Sequence, residues 1–111
     1  MSTAMTINQT EALERAVANI VDVMQPEAIY LFGSRARGDA REDSDYDFLV
    51  VMADDAPAAR RLLAATARVP RDPGVGLDIV PCRRTVFERK RHEVGTLSHL
   101  VTREGRLVYG R

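Results

Sequence analysis

Residues 28–52 read AIYLFGSRARGDAREDSDYDFLVVM, and this stretch decides the architecture of the chain. It holds two apolar runs, Ala28–Phe32 and Tyr46–Met52, separated by a polar segment over residues 33–44. A proline lies before the first run and a glycine follows it, and its length and aromatic content are typical of a buried strand. Side chains of a strand point alternately to the two faces of its sheet. The second run therefore predicts a strand with apolar residues on both faces.

Helical and strand patterns alternate on both sides of this stretch. Apolar residues recur at 3.6-residue spacing over residues 8–24, which predicts an amphipathic helix that ends before Pro26. Asn8 or Thr10 is placed to cap its start. Further along, we predict a helix from Pro57 to about Arg68, a strand over Val75–Val80, a helix over about Val86–His92, a helical stretch near Thr96–Arg103 and an edge strand over Leu107–Tyr109. This order predicts an α/β domain with a mixed sheet.

Two details refine the helices after the second strand. Pro57 falls in the first turn of its helix, where its missing N–H costs nothing, and Leu62, Leu63 and several alanines are expected on the inward face. Thr85 and Glu88 have capping-box spacing, which predicts reciprocal hydrogen bonds at the start of the following helix.

Length and composition indicate one globular domain over residues 1–111. The chain is 45% hydrophobic and 29% charged, which argues against disorder. No apolar run approaches the roughly 20 residues that span a bilayer, and residues 1–10 lack the pattern of a secretory signal. The lone cysteine, Cys82, cannot form an internal disulfide, which fits a reducing compartment. We therefore expect a cytoplasmic protein with no membrane partner.

The net charge of zero conceals an asymmetry between the two halves. Residues 1–55 carry four basic and eleven acidic side chains, whereas residues 56–111 carry twelve basic and five acidic ones. A dense basic run indicates either a solvated helix face or a docking surface for RNA or a protein. Six Tyr and Phe residues and no Trp are too few for a base-stacking surface, so direct nucleic-acid binding is not expected. The run consists of Arg83, Arg84, Arg89, Lys90 and Arg91.

Three aspartates lie at chemically informative positions on the predicted strands. Asp45 and Asp47 bracket the start of the second strand and share one face, about 6.7 Å apart along the chain. Asp78 lies in the third strand among apolar neighbours, where a charge usually needs a partner or a metal. Each is explained singly as a turn or surface residue, but together they predict an acidic pocket. Hard oxygen ligands suit Mg²⁺ or Mn²⁺, and two such ions serve phosphoryl or nucleotidyl transfer.

A glycine-serine turn, GSRARG over residues 33–38, directly follows the first strand. Gly33 lets a backbone approach a ligand closely, and Ser34 is placed to cap a short helix whose N–H groups face an anion. Arg35 and Arg37 add charge suited to phosphate oxygens. The turn alone is also explained as a plain polar connection, but a strand, this turn and then Asp-x-Asp entering the next strand form a more specific pattern.

The spacing of these motifs resembles a known superfamily. Gly33-Ser34, ten intervening residues and then Asp45-Tyr46-Asp47, with Asp78 on a later strand, is similar to the nucleotidyltransferases related to DNA polymerase beta. The string GSRARGDAREDSDYDFLVV most resembles the minimal nucleotidyltransferases, the MNT family, and the resemblance extends from the first helix to Tyr109. It implies a polymerase beta-like fold, in which helices flank a mixed sheet.

The resemblance also implies roles for individual residues. Gly33 and Ser34 would hold the β- and γ-phosphates of a nucleoside triphosphate such as ATP. Asp45 and Asp47 would ligate two divalent ions, Mg²⁺ or alternatively Mn²⁺. Asp78 would ligate the catalytic ion and help to deprotonate the attacking hydroxyl. Both arginines of the turn match basic positions of the family, and the motif does not decide which of them meets phosphate.

A protein partner is a further implication. Minimal members resemble the antitoxin halves of two-gene systems whose toxin is a HEPN-type ribonuclease, and characterised examples transfer AMP from ATP to a tyrosine of that toxin. Larger relatives carry an added helical domain, for which this chain has no room, so a partner or second subunit is expected to complete the site. Two alternatives stay open: an antitoxin that neutralises by binding alone, and a nucleotidyltransferase that modifies a small molecule with a separate acceptor-binding partner.

Overall fold

A computed structural model describes the backbone of residues 2–110 and the side chains of residues 10–110. None of the helices described there is both long and apolar enough to cross a membrane. In chain order the elements are α1 (Ser2–Met24), β1 (Ala28–Phe32), α2 (Ser34–Arg37), β2 (Tyr46–Met52), α3 (Ala58–Arg61), α4 (Leu63–Thr66), β3 (Leu77–Arg83), α5 (Arg84–Lys90), α6 (Leu97–Glu104) and β4 (Arg106–Gly110).

The strands form one mixed sheet in the order β3-β2-β1-β4. β1 runs antiparallel to both β2 and β4, whereas β2 runs parallel to β3. Parallel neighbours need a crossover connection, which the segment containing α3 and α4 supplies. The predicted α/β class with a mixed sheet and a C-terminal edge strand is therefore confirmed. β1 and β2 also begin and end at the predicted residues.

Hydrophobic clusters cover both faces of the sheet. On one face, α1 and α4 pack against Phe48 and Val50. On the other, which we call the α5 face, α5 and α6 pack against Leu49 and Val51. The predicted alternation along β2 is thus confirmed. Because Asp47 alternates with Phe48, its side chain belongs to the α5 face.

The prediction of one continuous helix over residues 57–68 is wrong. Two short helices form instead, separated at Leu62, whose extended backbone (φ −82°, ψ 161°) interrupts the helical ladder. Leu62 and Leu63 are 49% and 68% exposed, so they do not belong to the inward face as was expected. Ala65, one of the alanines expected on that face, does reach the core, together with Val69. The segment is rich in alanine, which favours helix without specifying which side of it is buried.

Three other boundaries differ from prediction. α1 already includes Asn8 and Thr10, so neither residue caps its start. β3 lies two to three residues beyond the predicted strand, because Val75 closes a turn by donating a backbone hydrogen bond to Asp72 (3.0 Å). Since β3 leads directly into α5, that helix begins two residues earlier than predicted.

The start of α5 is capped by a tertiary contact and not by the predicted capping box of Thr85 and Glu88. Asp54, which follows β2, accepts hydrogen bonds from the Thr85 backbone N–H (3.0 Å) and from the Thr85 hydroxyl. Glu88 instead accepts from Arg84 (3.0 Å) and Arg91 (3.2 Å). Two guanidinium groups therefore hold the Glu88 carboxylate away from the helix start.

We expect Asp54→Ala to lower the free energy of unfolding by about 1 kcal/mol, because it removes the side-chain acceptor at the start of α5. Asp55→Ala is the matched control, since Asp55 is equally exposed and makes no hydrogen bond among the described residues. Urea denaturation of both variants measures the difference. Equal losses in the two variants would show that the contact to Thr85 contributes nothing to stability.

Candidate active site

The candidate site lies where β1 ends and where β2 and β3 begin. In the antiparallel pair, Phe32 is opposite Asp47, so Gly33 leaves the sheet beside that carboxylate. In the parallel pair, Asp47 is the direct neighbour of Asp78. Neighbouring strands are about 4.8 Å apart, so the turn and the two aspartates lie side by side across three strands.

Electrostatics show that the three predicted carboxylates interact. Asp47 is half-buried, and burial raises its pKa; the charges of Asp78 and Asp45 raise it further, whereas the charge of Arg37 lowers it. Asp45 and Asp78 are themselves exposed. Asp78 lies on the edge strand β3, so it is not the buried charge among apolar residues that its neighbours suggested.

Gly33 is required at its position for two reasons. Its φ of 75° is in the left-handed region that L side chains rarely adopt. A Cβ there would also overlap the Asp47 carboxylate. The Gly33 carbonyl accepts the N–H groups of Ala36 and Arg37 (both 3.1 Å), which begins α2. The prediction that Ser34 caps this helix is wrong, because Gly33 is the N-cap residue and no side chain caps it.

Gly76 is a residue of this site that sequence reasoning missed. A Cβ at Gly76 would overlap the Asp45 carboxylate, so this glycine makes room for Asp45 as Gly33 does for Asp47. Its carbonyl accepts the N–H of Tyr46 (2.9 Å), which aligns the starts of β2 and β3. The glycine two residues before Asp78 could have indicated this role, but it lay inside the predicted strand over residues 75–80 and no role at the site was derived for it.

Arg35 turns away from the carboxylates and holds the loop that joins the two motifs. Its guanidinium donates to the Ser44 carbonyl (2.8 and 3.2 Å) and to the Glu42 carbonyl (3.1 Å). It also lies 4.3 Å from the centroid of the Tyr46 ring, over its face. We call these contacts the Arg35 clamp. These hydrogen bonds use the Nε and Nη2 donors of the guanidinium group. A nucleotide-binding role for Arg35 stays a prediction, and this geometry does not favour it.

Arg37 is the arginine that faces the carboxylates. Its charge lowers the pKa of Asp47. Its side chain is 48% exposed and forms an ion pair with Asp39, with Nε 3.4 Å from the carboxylate. Of the two predicted arginines, Arg37 is therefore the one available to an anion at this site.

The carboxylates of Asp45, Asp47 and Asp78 are suitable ligands for a hard divalent cation, although the three side chains do not point to one common position. Asp47 lies against Gly33 and Asp45 against Gly76. Among the side chains of residues 10–110, no three Asp, Glu, His or Cys are grouped as metal ligands. Three interacting carboxylates beside one arginine nonetheless supply the oxygen ligands and the excess negative charge that Mg²⁺ or Mn²⁺ requires.

Three of the five cations of the basic run, Arg84, Lys90 and Arg91, form ion pairs within the domain. Arg84 pairs with Glu27 (2.8 Å) as well as with Glu88, and Lys90 lies 3.7 Å from Glu93. These pairs favour the solvated helix face over a nucleic-acid docking surface.

Comparison with known proteins agrees with this geometry. The family model for "Polymerase beta, Nucleotidyltransferase" matches residues 14–111. The chain belongs to this nucleotidyltransferase family. The resemblance inferred from the two motifs is thereby confirmed at the level of the family. No curated protein matches the chain in sequence at a significant level.

Two solved structures share the fold of this nucleotidyltransferase domain. One is a crystal structure from Sulfolobus solfataricus of a protein assigned as a nucleotidyltransferase, with 25% identity and a TM-score of 0.58 over 93% of this chain and 84% of that one. The other is a toxin-antitoxin structure with AMP-PNP, with 22% identity and a TM-score of 0.61 over 88% of this chain and 73% of that one.

Asp47→Asn is expected to raise the free energy of unfolding at pH 7 in buffer containing EDTA. The pKa of Asp47 is raised in the folded chain above its ordinary value of 3.8, so ionisation costs more folded than unfolded. That cost is nearly absent below pH 3.8, grows between pH 3.8 and the raised value, and is constant above it. Urea denaturation should therefore show a gain at pH 7 and almost none near pH 3.5. A pH-independent difference would contradict the raised pKa of Asp47.

Arg35→Lys is expected to lower the free energy of unfolding by about 1–2 kcal/mol, because lysine cannot reproduce the forked hydrogen bonds of the Arg35 clamp. Arg37→Lys should change it by less than about 0.5 kcal/mol, because that side chain is exposed and weakly paired. Denaturant titration of the two variants compares the same substitution two residues apart. A larger loss for Arg37→Lys would refute the structural role of Arg35.

Proposed function

We propose that this protein is an Mg²⁺-dependent nucleotidyltransferase that transfers AMP from ATP to a protein, a tyrosine of a cognate HEPN-type toxin, and thereby acts as its antitoxin. The observation that carries the proposal is the alignment of Asp47 with Asp78, flanked by the Gly33 turn, in a chain of this family. Similarity of fold to a toxin-antitoxin structure with AMP-PNP supports the choice of nucleotide and partner.

Each side chain has a defined task in this proposal. Asp45, Asp47 and Asp78 would hold two divalent cations, which would supply positive charge to the α-phosphate and to the departing pyrophosphate. The backbone N–H groups of the Gly33 turn and the charge of Arg37 bind the β- and γ-phosphates. Asp78, exposed on the edge strand, accepts the proton of the acceptor hydroxyl.

The reaction exchanges one phosphorus–oxygen bond for another. The acceptor oxygen forms a bond to the α-phosphorus of ATP, and the bond between this phosphorus and the β-bridging oxygen breaks. Pyrophosphate leaves with the electron pair of that bond. Since attacking and leaving oxygens lie in line, they occupy opposite sides of the α-phosphate. No redox partner is required.

The test is capture of the tagged protein from its native host, followed by intact mass measurement of the co-purified partner before and after addition of Mg-ATP. We expect a mass gain in multiples of one adenylyl unit. Asp45→Asn and Asp47→Asn should reduce the rate by about 100-fold or more, because each removes transition-state charge stabilisation. Asp55→Asn, an exposed carboxylate outside the site, should leave the rate unchanged.

Other results would replace the proposal. A stable partner of unchanged mass would mean neutralisation by binding alone. Absence of a partner, with pyrophosphate released from ATP when small hydroxyl compounds are added, would mean a small-molecule acceptor. Retention of transfer in both Asp variants would refute the assigned metal ligands.

A further inference from the structure

A groove of about 690 Å³ runs between α1 and β4, at the edge of the sheet that is farthest from β3. Its lining is mostly apolar and includes Leu13, Val17, Val21, Leu107, Val108 and Tyr109. Leu107 is 55% exposed there. None of the residues assigned to the candidate active site lines this groove, so the nucleotidyltransferase motif does not account for it. An exposed apolar surface of this kind marks a site of interaction.

The strand that borders the groove has one unpaired edge. β4 pairs with β1 on one side and with no other strand of residues 2–110. Such an edge presents N–H and C=O groups to which a further strand can pair. The opposite edge strand, β3, is less suited to this, because Pro81 at its middle has no N–H to donate. β4 has the sequence RLVYG and contains no proline, so extension of the sheet is favoured at its edge.

The charged side chains of the groove lie at its two ends. Three residues join α1 to β1, and Ala28 at the start of β1 pairs with Gly110, so the C-terminal ends of α1 and β4 lie together. Asp22 is therefore at the Gly110 end of the groove, whereas Arg106 and Glu14 are at the other end. All three charged side chains are exposed, and none forms an ion pair within residues 10–110.

We propose that this groove is the interface of a homodimer, in which β4 of a second copy pairs antiparallel with β4 across a two-fold axis. Antiparallel pairing brings the Arg106 end of each strand to the Gly110 end of the other. Arg106 then meets Asp22 of the second copy, and the two-fold axis repeats this contact at the other end. The exposed Leu107 of each copy becomes part of a shared apolar contact. A second copy fits this groove because the charges of its two ends are complementary to each other.

A dimer of this form leaves both candidate active sites open. In the sheet, β1 and β2 separate β4 from β3. Asp78, exposed on β3, is therefore on the side of each copy that faces away from the interface. Dimerisation through β4 does not depend on the proposed function, and either can fail without the other.

Sedimentation equilibrium of the whole protein between about 5 and 200 µM tests the assembly, and we expect a reversible dimer with a dissociation constant on the order of 10 µM. Hydrogen–deuterium exchange at the two limiting concentrations locates the interface. Amides of β4 should exchange more slowly at the higher concentration, and amides of β3 at an unchanged rate. The mass of a single chain over the whole range, or a dimer that protects β3 and not β4, would overturn the proposal.

Charge reversal tests the contact between the two copies. Arg106→Asp places a third carboxylate beside Glu14 and beside Asp22 of the second copy, so we expect it to weaken dimerisation by about tenfold or more. Arg89→Asp is the matched control, because it makes the same change on an exposed residue of α5. This control should dimerise as the unmodified protein does. Equal weakening by both variants would show that only the net charge matters and would overturn the assigned contact.

A mixture of two variants distinguishes a second copy from any other occupant. Arg106→Asp and Asp22→Arg carry opposite charges at the interface, so an equimolar mixture should form a heterodimer with an affinity within about threefold of the unmodified protein. Such rescue requires that residue 106 of one copy meets residue 22 of the other. If Arg106→Asp abolishes the dimer and the mixture stays monomeric, the proposal is wrong. If Arg106→Asp does not fold, protection of β4 in the unmodified protein still decides.

Discussion

Parallel pairing of β2 with β3 places Asp47 directly beside Asp78, and the rest of the site is arranged around these two like charges. Burial is the main reason that the pKa of Asp47 is raised, and the charge of Asp78, which the paired strands hold beside it, raises this pKa further. Such a pair is costly in a folded chain unless a cation or a proton compensates it. The fold therefore maintains a site whose electrostatics favour cation binding.

Two glycines make room for the carboxylates, and the Arg35 side chain, which does not contact them, holds the neighbouring loop in place. Gly33 and Gly76 leave room for Asp47 and Asp45, respectively, where any Cβ would collide. In the Arg35 clamp, the guanidinium donates hydrogen bonds to the Glu42 and Ser44 carbonyls and so holds the loop between the two motifs in place. A site held in this way before ligands arrive loses less free energy to ordering when they bind. Of two neighbouring arginines, one thus stabilises the loop and the other supplies charge.

The sheet gives the site a direction. The β1 side ends in a glycine turn with backbone donors, the centre is acidic, and Asp78 is exposed on the edge strand β3. In the basic run, Arg84, Lys90 and Arg91 form ion pairs with Glu27, Glu88 and Glu93. This internal pairing favours a solvated helix face over a nucleic-acid docking surface.

Much of the fold was predictable because it depends on residues that are neighbours in the chain. Proline and glycine on either side of the first apolar run located β1, and the alternation of side chains in the second run located β2. The spacing between Gly33 and Asp47 indicated the family. The segment over residues 57–68 was not predictable in the same way, because alanine favours helix without a preferred buried side. Asp54 replaced the expected capping box because its carboxylate reaches Thr85 from a different element.

The sequence by itself determined the strands that flank the turn, the alternation of their faces and the presence of three carboxylates with a glycine-serine turn. Only the tertiary structure decided which of these groups meet. The register between β2 and β3 aligns Asp47 with Asp78, Gly76 accommodates Asp45, and Arg35 bonds to the loop while Arg37 faces the site. These outcomes depend on backbone pairing and on the space between elements, which a pattern of neighbouring residues does not encode.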